Sequence, residues 1–190
     1  PNQTLWEYPV PQVDFAGIAA DFTSLKTTAV ATGLYFPRYS SGSIGQANYW
    51  RGYHLIFNGN GTVTVRRVSA TTSLASQQIN QADELNNLPD RTRIATESLY
   101  GTYTIPASCG LIFVEDNVWV EGVVDSKVTI IAANVTTTGV APNAMLPNNL
   151  TYQLTDGTDG LTLIAEHNVL ITPTSPNTMT LNGIFIAQGG

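Results

Sequence analysis

The sequence predicts a mainly β fold: a short right-handed parallel β-helix (solenoid), preceded by a small α+β capping region. The first observation is a short sequence motif, an apolar run followed by a small polar residue, that occurs four times in the second half of the chain. The second is that Asn closes three of the copies and that Val follows each Asn. The copies are residues 112–117, 130–134, 163–168 and 184–189. Strands that recur at coil-sized intervals are typical of solenoids, because stacked coils bury apolar surface that one coil leaves exposed.

The spacing of the copies is irregular. Asn134 follows Asn117 by 17 residues, and Asn168 follows Asn134 by 34, which is twice as many. We interpret the longer interval as holding a further coil, with residues 150–154 as its strand and 142–149 as an outward loop. The alternative is an ordinary β-sandwich, whose strands look alike because strands favour Val, Ile and Thr.

The repeat makes specific predictions about stacking. Two sets of positions should be equivalent in stacked parallel strands, and the larger side chains of the first set should be largely buried. The first set is Ile112, Ile130, Leu163 and Phe185, and the second is Val114, Ala132, Ala165 and Ala187. Asn117, Asn134 and Asn168 should each end a strand, and at least two of them should turn inward and bond to main chain.

The first half of the chain predicts a helix and a hairpin. After the predicted N-cap Asp14, apolar residues recur at helical spacing up to Ala29, and Gly33 is a natural stop. Residues 53–57 and 62–68 flank the sequence Asn58-Gly59-Asn60-Gly61, which is a strong hairpin signal because Asn-Gly supplies positive φ. We therefore divide the chain into a cap with helix and hairpin, 1–104, and a solenoid, 105–190.

Residues 69–90 are polar and rich in Gln and Asn. We interpret them as an irregular connection anchored by Ile79, Leu85 and Leu88, which leads into strands around residues 93–105. The chain starts at Pro1 without Met and stops after an apolar strand, so we expect it to be a piece of a longer protein.

Charge and cysteine content exclude several functions. The formal net charge is -6, with only two lysines, so nucleic acid is not an expected partner. Cys109 is the single cysteine and cannot form an internal disulfide. No run is apolar enough to cross a bilayer, so membrane contact is expected only through a segment outside this chain.

Acidic residues allow an enzymatic alternative, because solenoids host polysaccharide lyases and glycosidases. Such an enzyme needs clustered carboxylates, and the candidates are Glu115, Asp116, Glu121 and Glu166. The competing interpretation is that Glu115 and Asp116 face water at the end of a strand. On that view, removing Glu115, Asp116 and Glu166 leaves the fold nearly unchanged. We also interpret residues 156–160 as a solvated turn, and we expect no catalytic, cofactor-binding or metal-binding residue.

Aromatic residues in the first half suggest a ligand surface. Rings stack on the apolar faces of sugars, and arginines contact acidic sugars. The residues proposed for such a surface are Tyr39, Tyr49, Trp50 and Arg51. The alternative, which we favour, is that these rings pack the helix against the hairpin and cap the exposed strand edges of the solenoid.

Parts of the sequence resemble bacterial pilus-assembly proteins of the PilX type. The resemblance is strongest in residues 110–122, in Lys127-Val128-Thr129-Ile130 and in 156–166. It implies a non-enzymatic, extracellular structural or adhesive domain of a pilin-like protein at the bacterial cell surface. The expected partners are other subunits of a surface appendage or envelope assembly, together with carbohydrate, and no cofactor is implied. The alternative function is a carbohydrate-active β-helix enzyme.

Overall fold

A computed structural model describes residues 15–42, 47–78 and 89–189, which are mainly β. In chain order the elements are α1 (Phe15–Thr32), β1 (Leu34–Phe36), a 3₁₀ helix (Ala47–Trp50), β2 (Gly52–Asn58), β3 (Thr62–Gln78), β4 (Pro89–Thr104), β5 (Leu111–Val114), β6 (Asn117–Val124), β7 (Lys127–Ala132), β8 (Ala144–Leu146), β9 (Leu150–Tyr152), β10 (Gly160–Ala165), β11 (Val169–Ile171) and β12 (Ile184–Ala187). The predicted N-cap Asp14 and the anchors Ile79, Leu85 and Leu88 lie outside the described residues. Among the described residues, none of the helices combines the length and apolar character that a membrane crossing requires.

The strands form two sheets. The first has five strands in the order β1-β5-β7-β10-β12, and every pair in it is parallel. The second has seven strands, in the order β11-β8-β6-β2-β3-β4, with β9 also paired to β6. Its pairs are parallel except for those that β3 makes with β2 and with β4. From β5 to β12 the chain alternates between the sheets, except that β8 and β9 follow each other in the second sheet.

The predicted stacking register is confirmed in the first sheet. Ile112, Ile130, Leu163 and Phe185 form one row of paired positions, and Val114, Ala132, Ala165 and Ala187 form the next. The members of both rows in β5, β7 and β10 are 0% exposed, and those of the edge strand β12 are partly buried. The same apolar cluster contains Leu55, Val118 and Val120 of the second sheet, so the main core lies between the two sheets.

The interpretation of the longer interval as a further coil is wrong. β10 pairs directly with β7, with Leu163 opposite Ile130, so no strand separates them. Residues 142–149 are not an outward loop, because they contain β8, which is buried and pairs with β6 and β11. The strand predicted at 150–154 exists as β9, but it also pairs with β6. The extra residues therefore form two consecutive short strands on one sheet.

Helix α1 covers the outer face of the first sheet. Phe22 and Ala29 are 2% and 1% exposed and belong to a cluster with Phe113 and Ile131, which alternate with the core-facing residues of β5 and β7. The N–H of Gly33 donates to the Ala29 carbonyl at 3.0 Å. The predicted helix and its stop are thus confirmed over the described residues, because the apolar face has a sheet to cover.

The predicted hairpin is also confirmed. β2 pairs antiparallel with β3, and Val63 and Val65 are buried while Thr64 and Arg66 lie on the other face. The irregular connection predicted for 69–90 is wrong in part, since β3 continues to Gln78 and β4 begins at Pro89. Several register shifts interrupt the β3–β4 pairing. Polar strands of a long two-stranded ribbon need no apolar repeat, which is why the sequence did not reveal them.

The predicted capping region supplies strands to both sheets. β1 pairs with β5 and β2 pairs with β6, each in parallel. The border between 1–104 and 105–190 therefore coincides with no gap in either sheet, and the division into two units stays a prediction.

The predicted asparagines lie at the turns between the sheets. Asn117 begins β6 rather than ending the preceding strand, and its Nδ2 donates to the carbonyls of Tyr49 and Arg51. Asn134 Oδ1 accepts from the N–H groups of Thr136 and Thr137 at 3.0 and 2.8 Å. The expectation that at least two of the asparagines bond to main chain is confirmed.

A stack of asparagines joins β6, β8 and β11, but Asn143 takes the place that the repeat assigned to Asn134. Asn117, Asn143 and Asn168 lie one residue before the paired positions in β6, β8 and β11. The Asn143 N–H donates to Asn117 Oδ1 at 2.8 Å, and the Asn168 N–H donates to Asn143 Oδ1 at 3.2 Å. Asn143 joins the stack instead of Asn134 because the chain continues for several residues after Asn134 before it returns to the second sheet at β8.

Candidate functional site

A groove opens beside β1, at the edge of the first sheet. The second sheet continues past β2 with β3 and β4, so the hairpin extends beyond this edge. The groove has a volume of about 360 Å³ and is lined by the end of α1, by β1 and by Tyr100 and Tyr103 of β4. We call it the β1 groove. It combines an open strand edge with aromatic rings, which is a common composition of ligand-binding clefts.

A β-bulge places Tyr100 at the groove. Val65 pairs with Gly101 and Arg66 pairs with Leu99, so Tyr100 is the extra residue of β4 and has no partner in the ladder. Bulges of this kind redirect a side chain relative to its neighbours. At Gly101, an added Cβ would lie 3.0 Å from the ring of Tyr103. A larger residue here would require the ring of Tyr103 to shift, so the glycine lets this ring pack closely against β4.

The rings at the groove form one cluster. Phe36 and Tyr53 are 2% and 0% exposed and form its base, with centroids 5.4 Å apart. Tyr103 and Tyr100 pack edge-on against Phe36 at 5.5 and 6.2 Å. Tyr100 remains 39% exposed. The cluster is therefore fixed from below by buried rings and open to solvent at Tyr100.

Arg67 is held between two of the tyrosines. Its guanidinium carbon lies 4.2 Å from the centroid of Tyr100 and 5.1 Å from that of Tyr39. Arg67 Nε is buried without a hydrogen-bond partner. Burial raises the pKa of Tyr53 to about 12, although a hydrogen bond with Arg67 opposes the rise. The ion pairs found among the described residues involve Lys26, His54 and Arg66 and not Arg67.

The four residues of the predicted ligand surface differ in their exposure to solvent. Tyr49 and Trp50 are 1% and 3% exposed and pack on Val140. Tyr39 is half-buried against Arg67, and Arg51 is half-buried. The two buried rings serve packing, but they pack on Val140 and not between the helix and the hairpin, and their capping of strand edges stays a prediction. Binding by this surface is untested and stays a prediction.

Sequence analysis missed Tyr100 and Tyr103. The signal available was Leu99-Tyr100-Gly101-Thr102-Tyr103, in which a glycine separates two tyrosines within a predicted strand. Gly in a strand often marks a bulge or a close approach. It could not have shown that Arg67 of the opposite strand stacks on Tyr100.

A cluster of charged residues, which we call the histidine clip, lies on the outer face of the second sheet. His54 Nδ1 is 2.8 Å from Glu97 Oε2, and His54 Nε2 is 3.2 Å from Glu121 Oε1. Arg66 Nε is 2.6 Å from Glu97 Oε1. The clip thus joins β2, β3, β4 and β6 through two carboxylates and two basic groups.

The clip favours the charged form of its histidine. Burial disfavours the imidazolium, but the hydrogen bonds and charges of Glu121 and Glu97 outweigh burial and raise the pKa of His54. The hydrogen bond with His54 lowers the pKa of Glu121, against the effect of its partial burial. An imidazolium between two carboxylates is a stable ion network, and both of its nitrogens are occupied.

The expectation that Glu115 faces water is wrong. Glu115 is 3% exposed, its Oε1 lies 2.7 Å from Lys26 Nζ, and its Oε2 accepts the hydroxyl proton of Tyr35. Burial and the neighbouring Glu115 raise the pKa of Tyr35. The carboxylate is therefore neutralised by α1 and bonded by β1, which sequence spacing alone could not reveal.

Asp116 is buried as well, with 1% exposure. Its Oδ2 accepts from the N–H groups of Tyr39 and Ser40 at 2.8 and 2.6 Å, and its Oδ1 accepts from that of Asn117 at 3.0 Å. Burial raises the pKa of Asp116, although these backbone donors oppose the rise. The expectation that removing Glu115, Asp116 and Glu166 leaves the fold nearly unchanged therefore rests on a wrong premise.

The other candidate sites are also engaged in the fold. Glu166 Oε2 accepts from the Asn134 N–H at 2.7 Å, and burial raises the pKa of Glu166. Asp156 is exposed, as the solvated-turn interpretation of 156–160 predicts, and accepts from the Thr158 N–H. The interpretation is wrong for Asp159, which is 8% exposed and accepts from the Leu154 N–H at 2.7 Å. In the part of the chain that the structure describes, no group of His, Cys, Asp and Glu is arranged to hold a metal ion.

Comparisons with known proteins add no family. No family model, no curated protein and no solved structure matches the chain. The similarity to PilX-type proteins is limited to the sequence segments 110–122, 127–130 and 156–166, and the β1 groove and the histidine clip are the two candidate sites of the structure.

Proposed function

We propose that the two sheets wind into a short right-handed β-solenoid, capped at one end by the β3–β4 hairpin and covered on the outer face of the first sheet by α1. The support is the alternation of successive strands between two parallel stacks, together with the asparagines at the turns. The proposed hand follows the strong preference for right-handed connections between parallel strands.

We infer that this solenoid is a non-enzymatic structural or adhesive domain of a pilin-like protein on the bacterial surface. The observation that carries the proposal is the in-register stack from β5 to β12, a rigid scaffold whose interior is apolar. The resemblance in sequence and the surface rich in Thr, Asn, Ser and Gln add support. The partners proposed are neighbouring subunits of the appendage and surface carbohydrate.

The carboxylates give more support to a scaffold than to a glycosidase or lyase. Glu115 is neutralised by Lys26, Asp116 is saturated by backbone donors, and Glu166 bonds to main chain. The clip, with His54 between Glu97 and Glu121, is the observation that favours the enzymatic alternative, because it contains potential acids and a base.

Incubation with a panel of acidic and neutral polysaccharides tests the non-enzymatic proposal. We expect no new reducing ends and no unsaturated products, because both nitrogens of His54 are already engaged. Cleavage that disappears in Glu121→Gln and persists in Glu166→Gln would overturn the proposal in favour of an enzyme acting at the clip.

Labelling of intact cells that produce the protein tests its location. An antibody against the folded domain should bind without permeabilisation. Labelling that requires permeabilisation would overturn the proposed surface location.

A further inference from the structure

We propose that the β1 groove, together with Arg67 beside its lining residue Tyr100, binds an acidic saccharide, with Tyr100 stacking on the sugar ring and Arg67 pairing with its carboxylate. The inference rests on the adhesive function proposed above and deepens it by naming a ligand class and a site. It replaces Tyr49 and Trp50, whose rings are buried, with the exposed Tyr100 and the half-buried Arg67.

Arg67 lacks a carboxylate partner among the described residues. This cation is half-buried, its Nε has no hydrogen-bond partner, and no carboxylate of the described residues forms an ion pair with it. The contrast with Arg66, the next residue, is informative, because Arg66 pairs with Glu97 at 2.6 Å. A half-buried guanidinium that lacks a counter-ion favours an anionic partner, and its planar donors match a carboxylate.

The ring of Tyr100, which lies beside Arg67, is exposed and held in a fixed position. Tyr100 is 39% exposed, and its position is fixed by the bulge and by contacts with Phe36, Tyr53 and Tyr103. A ring held in place by packing loses little conformational entropy when it binds a ligand. The axial C–H groups of a pyranose present an apolar face that suits such a ring.

The β1 groove also has a suitable size and a suitable lining for a sugar. The groove volume of about 360 Å³ lies within the range of about 300–1,000 Å³ that is usual for small-ligand clefts. The open side of β1 contributes backbone N–H and C=O groups, which can bond to sugar hydroxyls. A neutral sugar would use the ring and the edge but would leave Arg67 unpaired. An acidic sugar satisfies all three features.

Calorimetric titration with oligogalacturonides, compared with neutral galacto-oligosaccharides of equal length, tests the proposal. We expect the acidic oligomers to bind more tightly, and we expect added salt to weaken their binding. Tyr100→Ala and Arg67→Gln should each weaken it by tenfold or more, whereas Arg67→Lys should lose less because the charge remains. Leu99→Ala is the matched control, since Leu99 is 64% exposed in the same strand and pairs with Arg66.

Each variant is compared with the parent by near-ultraviolet circular dichroism, so that a folding defect is separated from a binding defect. If Arg67→Gln does not fold, Tyr100→Ala and the salt dependence still decide. Equal binding of acidic and neutral oligomers, binding unchanged in Tyr100→Ala, or no binding would overturn this inference while leaving the scaffold proposal intact. Cleavage of the oligomers would instead overturn the scaffold proposal.

Discussion

The parallel stack and the β3–β4 hairpin are built in opposite ways. The stack pairs its strands in an unbroken register and buries apolar rows such as that of Ile112, Ile130 and Leu163. The hairpin contains several register shifts and carries Arg66, Arg67 and the exposed Tyr100. The stack is held by burial of apolar surface, whereas the hairpin combines buried Val63 and Val65 with ion pairs and ring contacts.

The regular stack gives the molecule its stability, whereas the side chains of the two candidate sites lie largely in or beside the hairpin. A regular stack leaves few polar side chains free, because those at its turns bond to one another and to main chain. A bulged ribbon at the end of the stack has side chains that point in irregular directions, and both the β1 groove and the histidine clip arise there. Function on this β scaffold is thus expected where the regular stack ends. Three substitutions test the comparison.

Ile130→Asp should have the largest effect. Ile130 is 0% exposed in the middle of the first sheet, so the substitution places an unpaired charge in the core. The free energy of unfolding should fall by about 4 kcal/mol or more, measured by urea denaturation. Leu99→Asp in the hairpin, where the side chain is 64% exposed, is the control and should change it by about 0.5 kcal/mol or less. Similar losses in both variants would contradict the contrast between stack and hairpin.

Asp116→Ala should have the next largest effect, because it removes the acceptor of three N–H groups at a buried turn. We expect a loss of about 3 kcal/mol in the free energy of unfolding. Asp116→Asn should lose less, since one acceptor oxygen remains. The control Asp156→Ala alters an exposed turn and should leave the denaturation midpoint nearly unchanged. A midpoint unchanged in Asp116→Ala would mean that this turn does not support the stack.

Loss of the histidine clip should have the smallest effect and should depend on pH. The raised pKa of His54 makes its contribution complete below the unfolded value of 6.5 and lost as pH rises through the folded value. The lowered pKa of Glu121 makes its contribution complete above its unfolded value of 4.5 and lost as pH falls through the folded value.

The difference in unfolding free energy between the parent and His54→Gln should therefore be largest between pH 4.5 and 6.5. We expect about 1 kcal/mol there, with smaller values on either side. Urea denaturation across this range is the measurement, and Ile56→Gln, a half-buried residue of the same strand, is the control. A difference that grows above neutral pH would contradict a charged histidine in the clip.

The sequence by itself determined the elements that depend on local pattern. The repeated apolar motif predicted the register of β5, β7, β10 and β12, because equivalent positions of a repeat face the same core. The Asn-Gly turn specified the β2–β3 hairpin, and the apolar spacing up to Ala29 specified α1. Each of these follows from residues that are near one another or that repeat along the chain.

Only the tertiary structure decided which distant polar residues meet. Asn143 completes the asparagine stack although no repeat contains it, and Lys26 neutralises Glu115 across 89 positions of the chain. Arg67 stacks on Tyr100 because a one-residue bulge redirects the ring. A side chain's charge and size are written in the sequence, but its partner depends on how two separate strands are aligned. The core, the hairpin and the helix were therefore predictable, whereas the groove and the clip were not.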